Sequence, residues 1–157
     1  MEHVKKVAIL TGGGDVPGLN VAIKAVVNRA HTRNIEVLGI RRGWKGLMSI
    51  NPDDPGTMDR WTMPLTVDRV RTIDRTGGTV LHTSRTNPGN IKPEDVPDFK
   101  PSPACSLLPG GKMDCTPHVL RVLESLSVDG IIPIGGDDTL GYAHRLHREG
   151  VQIVAIP

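Results

Sequence analysis

Aromatic residues are scarce in this chain, with one Phe, one Tyr and two Trp among 157 residues. A surface that stacks nucleobases needs several, so a single-strand nucleic-acid platform is excluded. Excess charge is also scarce. The formal net charge is +2, with no long Lys/Arg stripe, which argues against a nucleic-acid partner. No apolar run approaches the ~20 residues of a membrane span. Cysteine is limited to Cys105 and Cys115, both in a Gly/Pro-rich stretch. Glu2, His3, Lys5 and Lys6 interrupt the apolar region that a secretory leader would need. The expectation is a cytoplasmic protein with reduced thiols. Cys105, Cys115 and His118 offer only three zinc ligands, at a spacing that matches no common zinc pattern, so no zinc is assigned.

Glycine and proline, by contrast, are plentiful, at 18 and 13 residues. They cluster between short apolar runs, as in an α/β domain with long functional connections. Lys6 to Leu10 reads as a buried strand, and Thr11 to Gly18 (TGGGDVPG) as a glycine-rich turn. Leu19, Ala22, Ile23, Val26, Val27 and Ala30 then recur at helical spacing. Strand, glycine loop and helix form a generic phosphate-binding start. It is neither a Walker A loop nor GxGxxG, because no Gly-Lys-Ser/Thr follows and Pro17 holds the turn. Glu36 to Ile40 is a second strand. Arg41 to Met48 reads as a loop whose Trp44 is either a ligand-facing aromatic or a core plug. Ser49 to Thr66 is irregular, and Val67 to Thr76 is a short helix capped by Thr66.

Gly78 to His82 reads as a strand, followed by the polar turn TSRTNPG. Arg85 in that turn is a candidate anion contact, since Arg grips phosphate in a bidentate fork; a plain surface arginine is the other reading. Asn90 to Cys115 has no clear periodicity and reads as a loop. Pro117 to Leu126 is a helix with Thr116 as N-cap. Tyr142 to Glu149 belongs to a helix ended by Gly150, with His144 and His147 on its polar face. Gln152 to Ile156 reads as a last buried strand.

The most informative stretch is Asp129 to Thr139, DGIIPIGGDDT. Ile131, Ile132 and Ile134 form a β-branched strand, Gly135 and Gly136 end it, and Asp137, Asp138 and Thr139 stand at a helix entrance. The glycines allow a phosphate to approach the backbone closely. A carboxylate there can hold Mg²⁺ together with substrate phosphates. The competing reading is a helix N-cap, where Asp and Thr are favoured regardless of function.

Strands alternating with helices predict one α/β domain over 1–157: a three-layer, mostly parallel, Rossmann-like sheet with helices on both faces. The loops at Gly12 to Gly14, Trp44, Arg85 and Gly136 to Thr139 all follow strands. In a parallel sheet they share one edge and form one site.

With these loops placed, the sequence resembles the phosphofructokinase family. The resemblance rests on TGGGDVPGLN at 11–20, GIRRGWKGLM at 39–48, GGTVLHTSRTNP at 77–88 and DGIIPIGGDDTL at 129–140. It implies the N-terminal, phosphoryl-donor-binding half of an enzyme that phosphorylates the 1-hydroxyl of fructose 6-phosphate with Mg²⁺. It also implies a homo-oligomer for the full-length form. Gly13 and Gly14 match the glycines of the donor loop, with Gly13 set against the transferring phosphate. Trp44 falls where ATP-dependent members often carry a Tyr near the donor. Arg85 matches the arginine on the transferred group, Gly136 and Thr139 flank the donor, and Asp137 matches the carboxylate that supports the metal.

Asp138 departs from the Gly of ATP-dependent members and is similar to the pyrophosphate-dependent ones. A carboxylate there intrudes where a nucleotide's α-phosphate and ribose would lie, and adds like-charge repulsion. The resemblance therefore favours pyrophosphate over ATP as donor. It places the catalytic base in a Thr-Ile/Met-Asp motif just past a strand-end proline that Pro157 matches. The expectation is a donor-binding domain truncated before its sugar-phosphate-binding partner, with little or no turnover alone.

Overall fold

The computed structural model describes residues 4–101 and 103–157. Its core is a four-stranded sheet in the order β3-β2-β1-β6. β1 spans Lys6–Thr11, β2 Glu36–Ile40, β3 Thr62–Leu65 and β6 Gly130–Ile134. β1 pairs in parallel with both β2 and β6, while β3 runs antiparallel to β2. The expected mostly parallel sheet is present, with an antiparallel strand at one edge.

The helices cover both faces. Side chains alternate across a strand, so β1 sends Ala8 and Leu10 to one side and Ile9 to the other. Ile9 packs with Leu19, Ile23, Val27 and Ala30 of α1 (Leu19–His31) and with Val70 of α4 (Val67–Val70). Ala8 and Leu10 pack with Trp44 and Leu47 of α2 (Gly43–Met48), Val119 and Val122 of α5 (Thr116–Ser125), and Leu146 of α6 (Asp137–Arg148). Two apolar clusters separated by one sheet make the three layers. Among the described residues no helix is long and apolar enough to cross a membrane.

Several local expectations are corrected. The stretch 41–48 is helical rather than a loop from Gly43 onward: Arg42 adopts a left-handed φ of 57° and turns the chain into α2. The segment 49–66 contains α3 (Pro55–Trp61), capped by the Asp54 side chain on the Gly56 amide, and then β3. Its prolines marked helix start and sheet edge, where Pro is tolerated, rather than irregularity. Thr66 does cap the next helix, on the Arg69 amide, but α4 ends at Val70 and a 3₁₀ turn occupies Ile73–Arg75.

Gly78 to His82 is not a strand. Thr79 and Leu81 are buried and His82 has a φ of 58°, so the segment packs against the strand ends without joining a ladder. Thr116 lies inside α5, with Cys115 at the N-cap. Gln152 to Ile156 meets β6 only through the bridges Ile131–Ile153 and Ile134–Ile156.

The 90–115 excursion holds a small hairpin, β4 (Ser106–Leu107) against β5 (Met113–Asp114). Cys105 precedes it and Cys115 follows it, so the hairpin brings their Cα atoms to 4.3 Å and the two form a disulfide. The expectation of reduced thiols is overturned by this pairing. It ties the excursion to the start of α5, beside Asp114. The Asp114 carboxylate accepts from the Thr116 amide at 2.9 Å and from the Arg145 guanidinium at 2.9 Å. Burial pushes this carboxyl up, but the Thr116 and Arg145 hydrogen bonds outweigh it and hold the group below its ordinary value.

Two outcomes are expected. Reducing the disulfide, which closes a separation of 10 residues, should lower unfolding stability by roughly 2–3 kcal/mol in a urea titration. The depressed Asp114 value stabilises the fold above the free carboxyl's pKa of about 3.9. That contribution is lost as pH falls through the folded value, and Asp114→Asn should remove this part of the acid-side decline in melting temperature.

Candidate functional site: a glycine-lined cleft edge

The strand-end loops are bolted together at the C-terminal edge of the sheet. The Gly12 amide donates to the Ile134 carbonyl at 2.9 Å, linking the ends of β1 and β6. A Cβ on Gly12 would collide with the Thr139 side chain. One on Gly135 would stand 2.7 Å from the Gly12 carbonyl oxygen. Glycine at both positions is therefore required by close approach, quite apart from any ligand. The Gly13 amide donates to the Ser84 carbonyl at 3.1 Å, which draws in the loop that carries Arg85. The Thr11 hydroxyl lies 3.0 Å from the Thr79 hydroxyl and donates to the His82 carbonyl at 2.9 Å. The Arg42 amide donates to the Leu81 carbonyl at 2.7 Å, adding the end of β2.

The loops at 12–14, 41–44, 83–85 and 135–139 thus meet in one place. The individual roles differ from expectation in three respects. The amides of Gly12 and Gly13 are spent on protein carbonyls, so Gly13 offers an open Cα face instead of a donor. Nothing lies within 4 Å of a Cβ built there, and the same holds at Gly136. Gly14 is exposed, and its amide makes no backbone hydrogen bond among the described residues. An incoming oxyanion can use this amide.

Trp44 is the second departure. Its ring is 2% exposed, so it is the plug of the two readings and not a ligand-facing aromatic. Its indole N–H donates to the Thr139 carbonyl at 3.2 Å. It packs edge-on against Tyr142, with ring centroids 5.1 Å apart. Tyr142 is itself buried, burial pushes its hydroxyl pKa up, and it donates to the Thr116 hydroxyl at 3.3 Å. Together the two rings fill the space between α2 and α6. Thr139 is the third: it is 4% exposed, and its side chain is packed against Gly12 and Gly135. It holds two loops together and faces no solvent.

Asp137 and Asp138 behave differently. The N-cap of α6 is Gly136, so neither aspartate is the cap that the competing reading required. Both lie exposed in the first helical turn, where the N-terminal dipole favours negative charge. Neither carboxylate makes a hydrogen bond or ion pair among the described residues. No group of three or more His, Cys, Asp or Glu that could hold a metal occurs among the described residues. Two free carboxylates suit Mg²⁺, which completes its shell with water and substrate phosphates, better than a metal needing an all-protein cage.

Arg85 is exposed and opens onto a cavity of about 370 Å³ shared with Lys45, Asn87, Asn90, Lys92 and Lys112. Glu94 and Asp95 at its rim offset two of the four cations. Lys45 and Lys112 were not singled out from the sequence. Lys45 stands in the GIRRGWKGLM motif, and Lys112 follows the glycine pair Gly110-Gly111. Asn20 was missed as well. It is 2% exposed, donates to the Thr76 carbonyl at 3.0 Å, and accepts from the Val80 amide at 2.8 Å. It pins the segment leading to Arg85 onto α1. The Asp15 side chain in the same turn lies against the 77–78 segment: a Cβ on Gly78 would stand 2.5 Å from its Oδ1.

The family pattern described as Phosphofructokinase matches residues 6–157. The pyrophosphate–fructose 6-phosphate 1-phosphotransferase of Dictyoglomus thermophilum is 36% identical over 152 residues, covering 97% of this chain and 35% of that protein. The Amycolatopsis methanolica enzyme of the same name is 39% identical, covering 97% and 36%. An ATP-dependent 6-phosphofructokinase of Macrococcus caseolyticus is 32% identical, covering 98% and 39%. The chain thus spans little more than a third of these relatives. Among solved structures, Pichia pastoris phosphofructokinase in the T-state superposes with a TM-score of 0.67 at 23% identity, covering 95% of this chain and 14% of that one. The pyrophosphate-dependent phosphofructokinase of Marinobacter aquaeolei gives 0.63 at 15% identity, covering 97% and 32%. The matched span and the shared fold agree that this chain belongs to the phosphofructokinase family.

Proposed function

We propose that the chain is the phosphoryl-donor-binding part of an enzyme that transfers a phosphoryl group from pyrophosphate to the 1-hydroxyl of fructose 6-phosphate. The observation that carries the choice of donor is Asp138, exposed and unpaired one residue into α6 beside the open Gly136. A nucleotide extending past that turn meets a carboxylate where it must place an α-phosphate and ribose, whereas pyrophosphate ends before it. The relatives' names include both donors and do not decide between them.

In this reading Arg85 grips the transferring group through a bidentate fork, and Lys45 and Lys112 neutralise charge in the cavity beside it. The Gly14 amide donates to a donor oxygen. Gly13 and Gly136, lacking side chains, allow the donor to lie against the backbone. Asp137 would hold Mg²⁺, which supplies charge neutralisation to the phosphates when bound. Thr139, Trp44 and Asn20 touch no ligand and keep these groups in place.

The reading is tested by titrating the chain with pyrophosphate and with ATP, each with Mg²⁺. Pyrophosphate should bind more tightly, and tighter ATP binding would overturn the donor assignment. Asp138→Gly should strengthen ATP binding by about tenfold, the effect of removing one unfavourable charge contact of ~1.4 kcal/mol. Arg85→Gln should weaken pyrophosphate by a similar or larger factor. In a longer polypeptide carrying this segment, fructose 6-phosphate turnover should follow the same order of donors.

A further inference from the structure

A second cationic cavity includes His82, three residues before Arg85. It measures about 460 Å³ and is lined by Arg41, Arg42, Asp59, Arg60, Trp61 and His82. It shares no lining residue with the Arg85 cavity. Its lining carries three arginines and one carboxylate. Among the described residues none of the three makes a side-chain hydrogen bond or ion pair; Arg60 lies over the Trp61 ring at 5.4 Å. Like charges repel, and three arginines gathered around one concavity without partners form a site of strongly positive potential.

The backbone beneath them is rigidly held. The Arg41 amide donates to the Trp61 carbonyl at 2.8 Å, and the Arg42 amide to the Leu81 carbonyl at 2.7 Å. The His82 carbonyl accepts from the Thr11 hydroxyl at 2.9 Å. Arg42 and His82 both adopt left-handed φ values, 57° and 58°, without being glycine. Residues held in that region cluster at ligand sites, where the surrounding structure fixes them. Neither the α1–α4 layer nor the α2–α5–α6 layer needs these side chains for its packing.

We infer that this cavity is a second anion site that takes a compact, multiply charged oxyanion of the phosphate type, distinct from the donor site. Arg offers five donors in a planar fork that matches phosphate oxygens, and three such forks around a concavity select charge and geometry together. His82 adds a ring nitrogen, and Trp61 closes the side. The volume admits inorganic phosphate, pyrophosphate or the phosphate of a small ester. The site does not depend on the donor reading. It is joined to the donor loops through the Arg42 amide on the Leu81 carbonyl and the Thr11 hydroxyl on the His82 carbonyl, but shares no lining residue with the Arg85 cavity.

Trp61 makes the site its own reporter, since the only other tryptophan is the buried Trp44. The experiment uses the Arg85→Gln chain, in which the donor cavity is weakened, titrated with pyrophosphate and separately with inorganic phosphate. Saturable calorimetric binding with a change in tryptophan emission is expected. It should weaken by about tenfold or more in Arg42→Gln and in Arg60→Gln, each added to that background. Trp61→Phe should abolish the emission change but keep the heat. Tighter binding of pyrophosphate would identify a diphosphate site; equal or tighter binding of phosphate would identify a site for a single phosphate group. No saturable binding in the Arg85→Gln chain would overturn the inference. So would binding that both arginine substitutions leave within twofold, or heats that chloride reproduces at equal ionic strength. Failure of the donor reading would appear separately, as pyrophosphate binding to the unsubstituted chain that Arg85→Gln does not change.

Discussion

The structure depends on one close approach. Gly12, just past β1, has no room for a Cβ because the Thr139 side chain lies against it, and a Cβ on Gly135, just past β6, would meet both the Gly12 carbonyl and Thr139. The Gly12 amide bond to Ile134 closes the contact. Through Thr139 the joint reaches Trp44, whose indole donates to the Thr139 carbonyl, and so reaches α2. Through the neighbouring Gly13 it reaches Ser84 and the loop of Arg85. Four loops from four places in the sequence are thereby fixed relative to one another by backbone contacts, before any ligand contributes.

This arrangement separates two kinds of glycine that look alike in the sequence. Gly12 and Gly135 are small because protein lies against them. Gly13 and Gly136 have open space where a Cβ would stand, and these are the ones a phosphate can approach. A similar division holds among the polar residues after β6. Thr139 is buried and joins loops, while Asp137 and Asp138 remain exposed and without protein partners. Binding and bracing are carried out by adjacent residues of the same motif.

The strand–loop–helix units around β1 and β6 were legible because their patterns are local: β-branched runs, a glycine break and helical spacing. The convergence of their loops followed from parallel pairing. What the sequence hid depends on partners far along the chain. Trp44 between two glycines looked equally suited to a ligand or a core, and only Tyr142, packed edge-on against it, decides for the core. The apolar and β-rich look of Gly78 to His82 signalled a strand, but Asn20 claims the Val80 amide and Arg42 the Leu81 carbonyl, leaving no ladder to form. The disulfide was illegible for the same reason, since the hairpin that juxtaposes Cys105 and Cys115 has strands of only two residues each.

The two margins of the main sheet are unequal. β3 is a four-residue antiparallel strand with Pro64 inside it, and proline has no amide to offer a newcomer. On the opposite margin, residues 152–156 lie parallel to β6, bridge it at Ile153 and Ile156, and leave Val154 66% exposed. A sheet blunted on one side and open on the other grows in a single direction. Any additional strand would add beyond residues 152–156, on the β6 side of the sheet and away from β3.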